Sequence, residues 1–187
     1  MNRRRFWWLL LVIGVLAGAP WAVTHAVFTD TQAVTGNTFS TGSVDITASP
    51  TSALVTFSGM TPGDKVTAPL NVSNAGTMQL RYAMSTSISG STTLSDGLTL
   101  SVKSGVTTCS NAGFGTDGTS AYSGTLTAGA IGSASQGAQA GDRTLNSSAS
   151  EILCFQVSLS SGAASSLQGL STTATFTFDA EQTANNP

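Results

Sequence analysis

The chain has 187 residues, and its seven Lys and Arg against nine Asp and Glu give a net charge of −2. Charged side chains make up only 9% of it, against about 25% in an average soluble domain. So few cations exclude a nucleic-acid binder, which needs many Lys and Arg on phosphates, and an apolar content of 40% excludes a disordered acidic tail.

Residues 1–26 differ from the rest. Three consecutive Arg (Arg3, Arg4, Arg5) precede an apolar run of 18 residues from Phe6 to Val23. Thr24, His25 and Ala26 follow, with small residues at the two positions that a signal peptidase reads. A basic start, an apolar middle and a small-x-Ala end describe a secretory signal peptide. Pro20 ends its helix and leaves an extended cleavage site. Cleavage is expected between Ala26 and Val27. The alternative is an uncleaved anchor, since 18 residues just span a bilayer; this is the one membrane contact expected. Arg3-Arg4-Arg5-Phe6 also weakly matches a twin-arginine signal.

Removing 1–26 leaves 161 residues with four cations, nine acids and a net charge of −5. All three Trp and the single His are lost with the leader, and Ser and Thr supply 54 of the remaining residues. A chain of this length buries about 68–70% of its unfolded surface, enough for one core. The expectation is a single domain over 27–187.

That domain reads as strands. Apolar residues alternate with polar ones at Val66, Ala68, Leu70 and Val72; at Leu80, Tyr82, Met84 and Ile88; at Leu98, Leu100 and Val102; at Leu153, Phe155, Val157 and Leu159; and at Ala174, Phe176 and Phe178. Such alternation marks antiparallel sheets with one face wet. Shorter strand pieces are expected within 38–47 and 53–58. Turn residues separate the runs: Thr61-Pro62-Gly63-Asp64, Asn74-Ala75-Gly76 and Asp96-Gly97. No helix is expected beyond the signal. The fold class is therefore all-β, an antiparallel jelly roll or β-sandwich following a signal-peptide helix. Residues 110–120 read as a loop. Residues 127–150 form an Ala/Gly/Ser-rich excursion, with a strand expected near 130–135 or a path over one sheet edge.

Cys109 and Cys154 are an even count in an exported chain, so a disulfide is the expectation. Without His25 the mature chain has no His. That excludes Ser-His-Asp and Cys-His catalysis and the His-Glu-x-x-His zinc helix. A Ser–Lys pair using Lys65 or Lys103 lacks any supporting motif. The carboxylates are scattered and none has the spacing of an EF-hand; Asp64, Asp96 and Asp117 adjoin Gly and suit turns. A calcium site drawn from separate loops is left open by this reading. No catalytic residue, metal ligand or cofactor is expected.

Four segments are distinctive in order: Thr24-His25-Ala26-Val27-Phe28-Thr29-Asp30; Asn37-Thr38-Phe39-Ser40-Thr41-Gly42-Ser43-Val44-Asp45-Ile46; Met60-Thr61-Pro62-Gly63-Asp64-Lys65-Val66; and Asn74-Ala75-Gly76-Thr77. With Phe176-Thr177-Phe178-Asp179-Ala180-Glu181 near the end, they resemble the TasA/camelysin family of exported bacterial proteins bearing SipW-type signal peptides. The resemblance covers most of 20–82 and 151–183 and is weakest over 105–150. It implies a secreted or surface-held protein of the biofilm matrix. Fibre-forming relatives use a freed N-terminal strand to complete the next subunit's sheet. Here the corresponding assembly strand is 27–35, beginning Val27, Phe28, Thr29 and Asp30, with Val27 or Phe28 as apolar anchor. The implied partners are further copies of this chain or other matrix and surface proteins, besides the signal peptidase. The same family also carries the label of metallo-endopeptidase, which a His-free mature chain supports poorly. A monomeric surface adhesin is the third class. After Thr183 the chain reads Ala184-Asn185-Asn186-Pro187 without a wall-sorting motif, so once the signal is cut, the expectation is non-covalent surface retention or release of the protein.

Overall fold

The alternating runs of the sequence become the long strands of two antiparallel sheets. The computed structural model describes residues 38–52, 54–55 and 59–186. In chain order the strands are β1 (Ile46–Ser49), β2 (Lys65–Asn74), β3 (Leu80–Gly90), β4 (Leu98–Ser104), β5 (Thr119–Thr125), β6 (Ala130–Ile131), β7 (Arg143–Leu145), β8 (Ser150–Leu159) and β9 (Thr172–Gln182). The first sheet has the order β1-β2-β8-β4-β5. The second is built on β3, which pairs with β9 along its whole length. Leu80 and Met84 also pair with Leu145 and Ile131, so β7 and β6 share the opposite edge of β3 in tandem. All five alternating sets of the sequence lie in strands, in β2, β3, β4, β8 and β9, and the expected all-β sandwich is the observed fold.

The core lies between the sheets. Leu70, Val72, Leu100, Val102, Leu153 and Phe155 of the first sheet meet Leu80, Tyr82 and Met84 of the second, all 4% exposed or less. Burying each large side chain stabilises the fold by about 1.5–3 kcal/mol. One polar tie crosses the core's edge. The Tyr82 hydroxyl donates to Glu151 Oε1 at 2.7 Å, and Arg143 Nε donates to the same oxygen at 2.9 Å. Glu151 is thereby satisfied where an unpaired carboxylate would be costly.

The Asn74-Ala75-Gly76-Thr77 segment is explained by hydrogen bonds. Asn74 is buried, and its Nδ2 donates to the carbonyls of Met78, Leu145 and Asn146. Its Oδ1 accepts from Gly76 N at 2.9 Å. The segment before β1 lies across this turn, with Ser43 O accepting from Thr77 N and Met78 N. A Cβ at Gly76 would sit 2.4 Å from Ser43 O, so only Gly permits this approach.

The structure departs from the sequence reading in two places and resolves it in a third. Residues 38–45 are not a strand; their backbone bonds go to the turn at 74–78, and β1 begins only at Ile46. A six-residue helix occupies Thr92–Gly97. Ser91 caps it by accepting from Leu94 N at 3.1 Å, and a single turn is too short to show a 3.6-residue period. In the 127–150 stretch the structure places β6 and β7, and residues 132–142 form the excursion between them. Asp142 closes the neck of that excursion by accepting from Ser133 N and Gln139 N. Among the described residues, no helix is long and apolar enough to cross a membrane.

Candidate functional site

An open sheet edge invites pairing with another chain, and proteins normally guard such edges with Pro, charge, bulges or brevity. Four of the edges here carry these guards. The β1 edge is four residues long and is followed by Pro50. β2 extends beyond β1 over residues 65–70, where Lys65 and Pro69 stand. In β5, Val102 pairs with Tyr122 but Lys103 pairs with Ser120, so Ala121 is an extra, bulged residue. The edge of β3 away from β9 is covered by pieces of two and three residues.

β9 is different. It pairs with β3 over eleven consecutive positions without a register shift and contains no Pro, and its two charged residues, Asp179 and Glu181, stand near its C-terminal end, leaving Thr172–Phe178 uncharged. Among the described residues, no strand pairs with its outer edge. Its inward residues Ala174, Phe176, Phe178 and Ala180 are only half-buried. They border a cavity of about 730 Å³ that opens along this edge. Leu70, Leu98, Leu126 and Val157 from the core form one part of its lining, and Leu54, Val55 and Met60 from the β1–β2 connection form another. Among the described residues, no Lys, Arg, Asp or Glu lines it. Two aromatic contacts hold the wall in place. The Phe176 ring lies 5.0 Å from Phe155, and Phe178 lies 6.0 Å from Tyr82. An uncharged, half-covered groove beside an unpaired edge has the chemistry of a strand-docking site.

A second, polar cleft of about 270 Å³ lies on the outer side of β3 and β9. Arg81 Nε meets Glu181 Oε1 there at 2.5 Å, and Gly137 N also donates to Glu181. The Arg81 hydrogen bond comes first among the causes that hold Glu181 below the usual Glu range, followed by Asn186. This arrangement pins the tip of the 132–142 excursion to β9.

Cys109 and Cys154 form a disulfide with Cα atoms 5.6 Å apart. It fastens the β4–β5 loop, with buried Phe114, over the first sheet. Lys103 Nζ donates to the carbonyls of Phe114 and Asp117 and lies 5.0 Å from the Phe114 ring. Its ammonium serves that loop rather than a serine. Asp117 accepts from Thr107 N, which lowers its carboxyl pKa, and Asp64 is lowered by accepting from Thr61 N and the Thr61 hydroxyl. Asp96 lies in the short helix Thr92–Gly97. Thr24, Ala26, Val27, Phe28, Thr29 and Asp30 lie outside the described residues. The β9 edge escaped the sequence reading, although the absence of Pro and of any charge from Thr172–Phe178 was a readable sign of a lightly guarded edge.

Among the described residues, no group of three or more His, Cys, Asp or Glu is placed to hold a metal ion. Asp64, Asp117, Asp142, Glu151 and Glu181 already accept hydrogen bonds from backbone or Arg donors. No curated protein matches the chain. The family model described as camelysin metallo-endopeptidase matches residues 11–97, which supports a link to the TasA/camelysin family over that part of the chain.

Proposed function

We propose that this protein is an exported structural component of the cell surface or biofilm matrix, and that it assembles by strand addition at β9. The supporting observation is the long, Pro-free β9 edge, uncharged over Thr172–Phe178, beside a groove whose described lining carries no charged side chain. In this reading, cleavage after Ala26 frees residues 27–35 of one copy to lie along β9 of the next. Backbone hydrogen bonds supply affinity, and alternate side chains entering the groove supply register. The disulfide suits an oxidising, extracellular location.

The test places a charge on each of two edges. Ala174→Lys puts an ammonium at the groove, whereas Ser123→Lys puts one on the exposed outer face of bulged β5. The chain starting at Val27 is expected to form filaments by electron microscopy, Ala174→Lys to abolish them, and Ser123→Lys to leave them intact. Equal loss in both variants, or filaments unaffected by Ala174→Lys, contradicts the assignment.

The family's description favours a second reading, a metallo-endopeptidase. The described residues do not fit a resident catalytic metal, since they include no His and bring no three Cys, Asp or Glu together to hold one. Chelator-sensitive cleavage of an unfolded protein by the purified chain would mark that activity. A chain that neither assembles nor cleaves would be a monomeric surface adhesin.

A further inference from the structure

The polar cleft continues into a second feature of the same face. Odd-numbered residues of β3 and β9 point to one side of their sheet, and the register sets them in rows: Arg81 with Glu181, Ala83 with Asp179, Ser85 with Thr177, Ser87 with Thr175 and Ser89 with Thr173. The first two rows floor the cleft, and part of the 132–142 excursion forms its wall. The last three rows run out from it as an exposed, uncharged ladder of hydroxyls.

The wall is held in place by the fold itself. Gly137 N donates to Glu181 at 3.0 Å, Ser133 N and Gln139 N donate to Asp142 at 2.9 and 2.8 Å, and Ser135 N donates to Ser133 Oγ at 3.2 Å. A site fixed before its ligand arrives loses little to ordering. The Asp179 carboxylate and the Gln136 side-chain amide are exposed at this cleft, and among the described residues neither has a hydrogen-bond partner. The Ser135 hydroxyl accepts from Ser133 and keeps its own proton to donate. Arg81 is the one cation in the described lining; it is buried and committed to Glu181 and to Asn186 O. Against it stand Asp142, Asp179 and Glu181, which leaves the cleft with two negative charges.

These features select a ligand class. A phosphate, a sulfate or an acidic sugar would meet excess negative charge and no free cation. An apolar ligand would strip water from Asp179 and Gln136 and give nothing back. A sugar ring fits both demands. Its neighbouring hydroxyls donate to the carboxylate oxygens and exchange bonds with the amide, while Ala134 and Ala180 meet its C–H edges. At about 270 Å³ the cleft is close to the smallest small-molecule sites, about 300 Å³, which suits a single ring. We infer that the cleft holds one unit of a polysaccharide free of acidic groups, neutral or amino-substituted, with Asp179 and Gln136 as its contacts and the following units laid along the Ser–Thr ladder. The apolar groove lies on the opposite face of β9, so this site is independent of strand addition.

Calorimetric titration tests the site in the chain starting at Val27, kept below the concentration at which light scattering rises. The probes are cellotetraose, the glucosamine tetramer and the galacturonate tetramer, with glucose and glucosamine as single units. Cellotetraose or the glucosamine tetramer is expected to bind, which tells a neutral from an amino sugar, and the galacturonate tetramer is not. Asp179→Asn should weaken the bound tetramer by about tenfold and Gln136→Ala by about fivefold, each through one lost hydrogen bond. Thermal unfolding should not change in either variant, since neither side chain is bonded within the described fold. Ser87→Ala combined with Thr175→Ala should weaken the tetramer by about fivefold and leave the single unit unaffected. Binding of neither non-acidic tetramer, equal binding of the galacturonate tetramer, or unaltered binding in Asp179→Asn overturns the site. A tetramer bound no tighter than its single unit, or a double variant that weakens both equally, overturns the ladder and leaves the cleft as a single-sugar site.

Discussion

Phe155 and Phe176 face each other across the sandwich with ring centroids 5.0 Å apart, yet one is fully buried and the other only half. The difference comes from strand position. β8 is flanked by β2 and β4, whereas β9 has β3 on one side and, among the described residues, no strand on the other. The core is thus closed at Phe155 and open at Phe176, and that opening is the groove.

This asymmetry predicts unequal stability losses. Phe155→Ala is expected to cost about 4 kcal/mol, as for other fully buried Phe. Phe176→Ala is expected to cost about half as much, because part of its ring is already in water. Urea unfolding of the two variants measures both values. Equal costs would mean that Phe176 is as enclosed as Phe155.

The disulfide closes a sequence separation of 45 residues. The loop-entropy relation gives it roughly 4 kcal/mol of stabilisation. The double variant Cys109→Ser with Cys154→Ser should unfold at markedly lower denaturant. If the midpoint does not move, the β4–β5 loop is held mainly by Lys103, Asn111 and Asp117, which bind it through Phe114 O, Lys65 O and Thr107 N.

Acid should weaken the fold. The carboxyls of Asp64, Asp117 and Glu181 are each held below their ordinary values by hydrogen bonds from Thr61, Thr107 and Arg81 respectively. Their unfolded counterparts protonate near pH 4. Above that range the contribution is fully present, and it is lost as pH falls through the lower folded-state values. Unfolding midpoints measured from pH 6 downward should drop below about pH 4, and Asp117→Asn should make the drop shallower.

At the alkaline end, burial and the neighbouring Glu151 push the Tyr82 phenol far above its ordinary value of 10.0. Below pH 10 the phenol is neutral in both states. Above it the unfolded chain ionises first, so stability falls as pH rises. Tyr82→Phe should lower stability at pH 7 by about 1 kcal/mol, the worth of one hydrogen bond, and lessen the loss above pH 10. A steeper alkaline loss in Tyr82→Phe would contradict this assignment.

How much of this was legible in sequence depended on repetition. Leu153, Phe155, Val157 and Leu159 repeat four times at period two, and β8 lies where they indicate. Thr119–Thr125 of β5, with Ala121 and Tyr122 as its only apolar side chains, has no such signal and takes its strand form from pairing with β4. The short helix depends on the Ser91 cap and on packing between β3 and β4, neither of which appears as a period. The groove was invisible for another reason. Leu54, Val157 and Phe176 are far apart in the chain, and only the topology brings them around one cavity. The disulfide was readable because two cysteines in a chain read as exported leave one pairing.

The most direct measurement compares two chains over a concentration series, one starting at Val27 and one lacking residues 27–35. Light scattering and negative-stain electron microscopy follow each. The account predicts concentration-dependent filaments from the first and none from the second, with both folded by circular dichroism. Filaments from both chains, or folded monomers from both at the highest concentration, would contradict strand addition at β9.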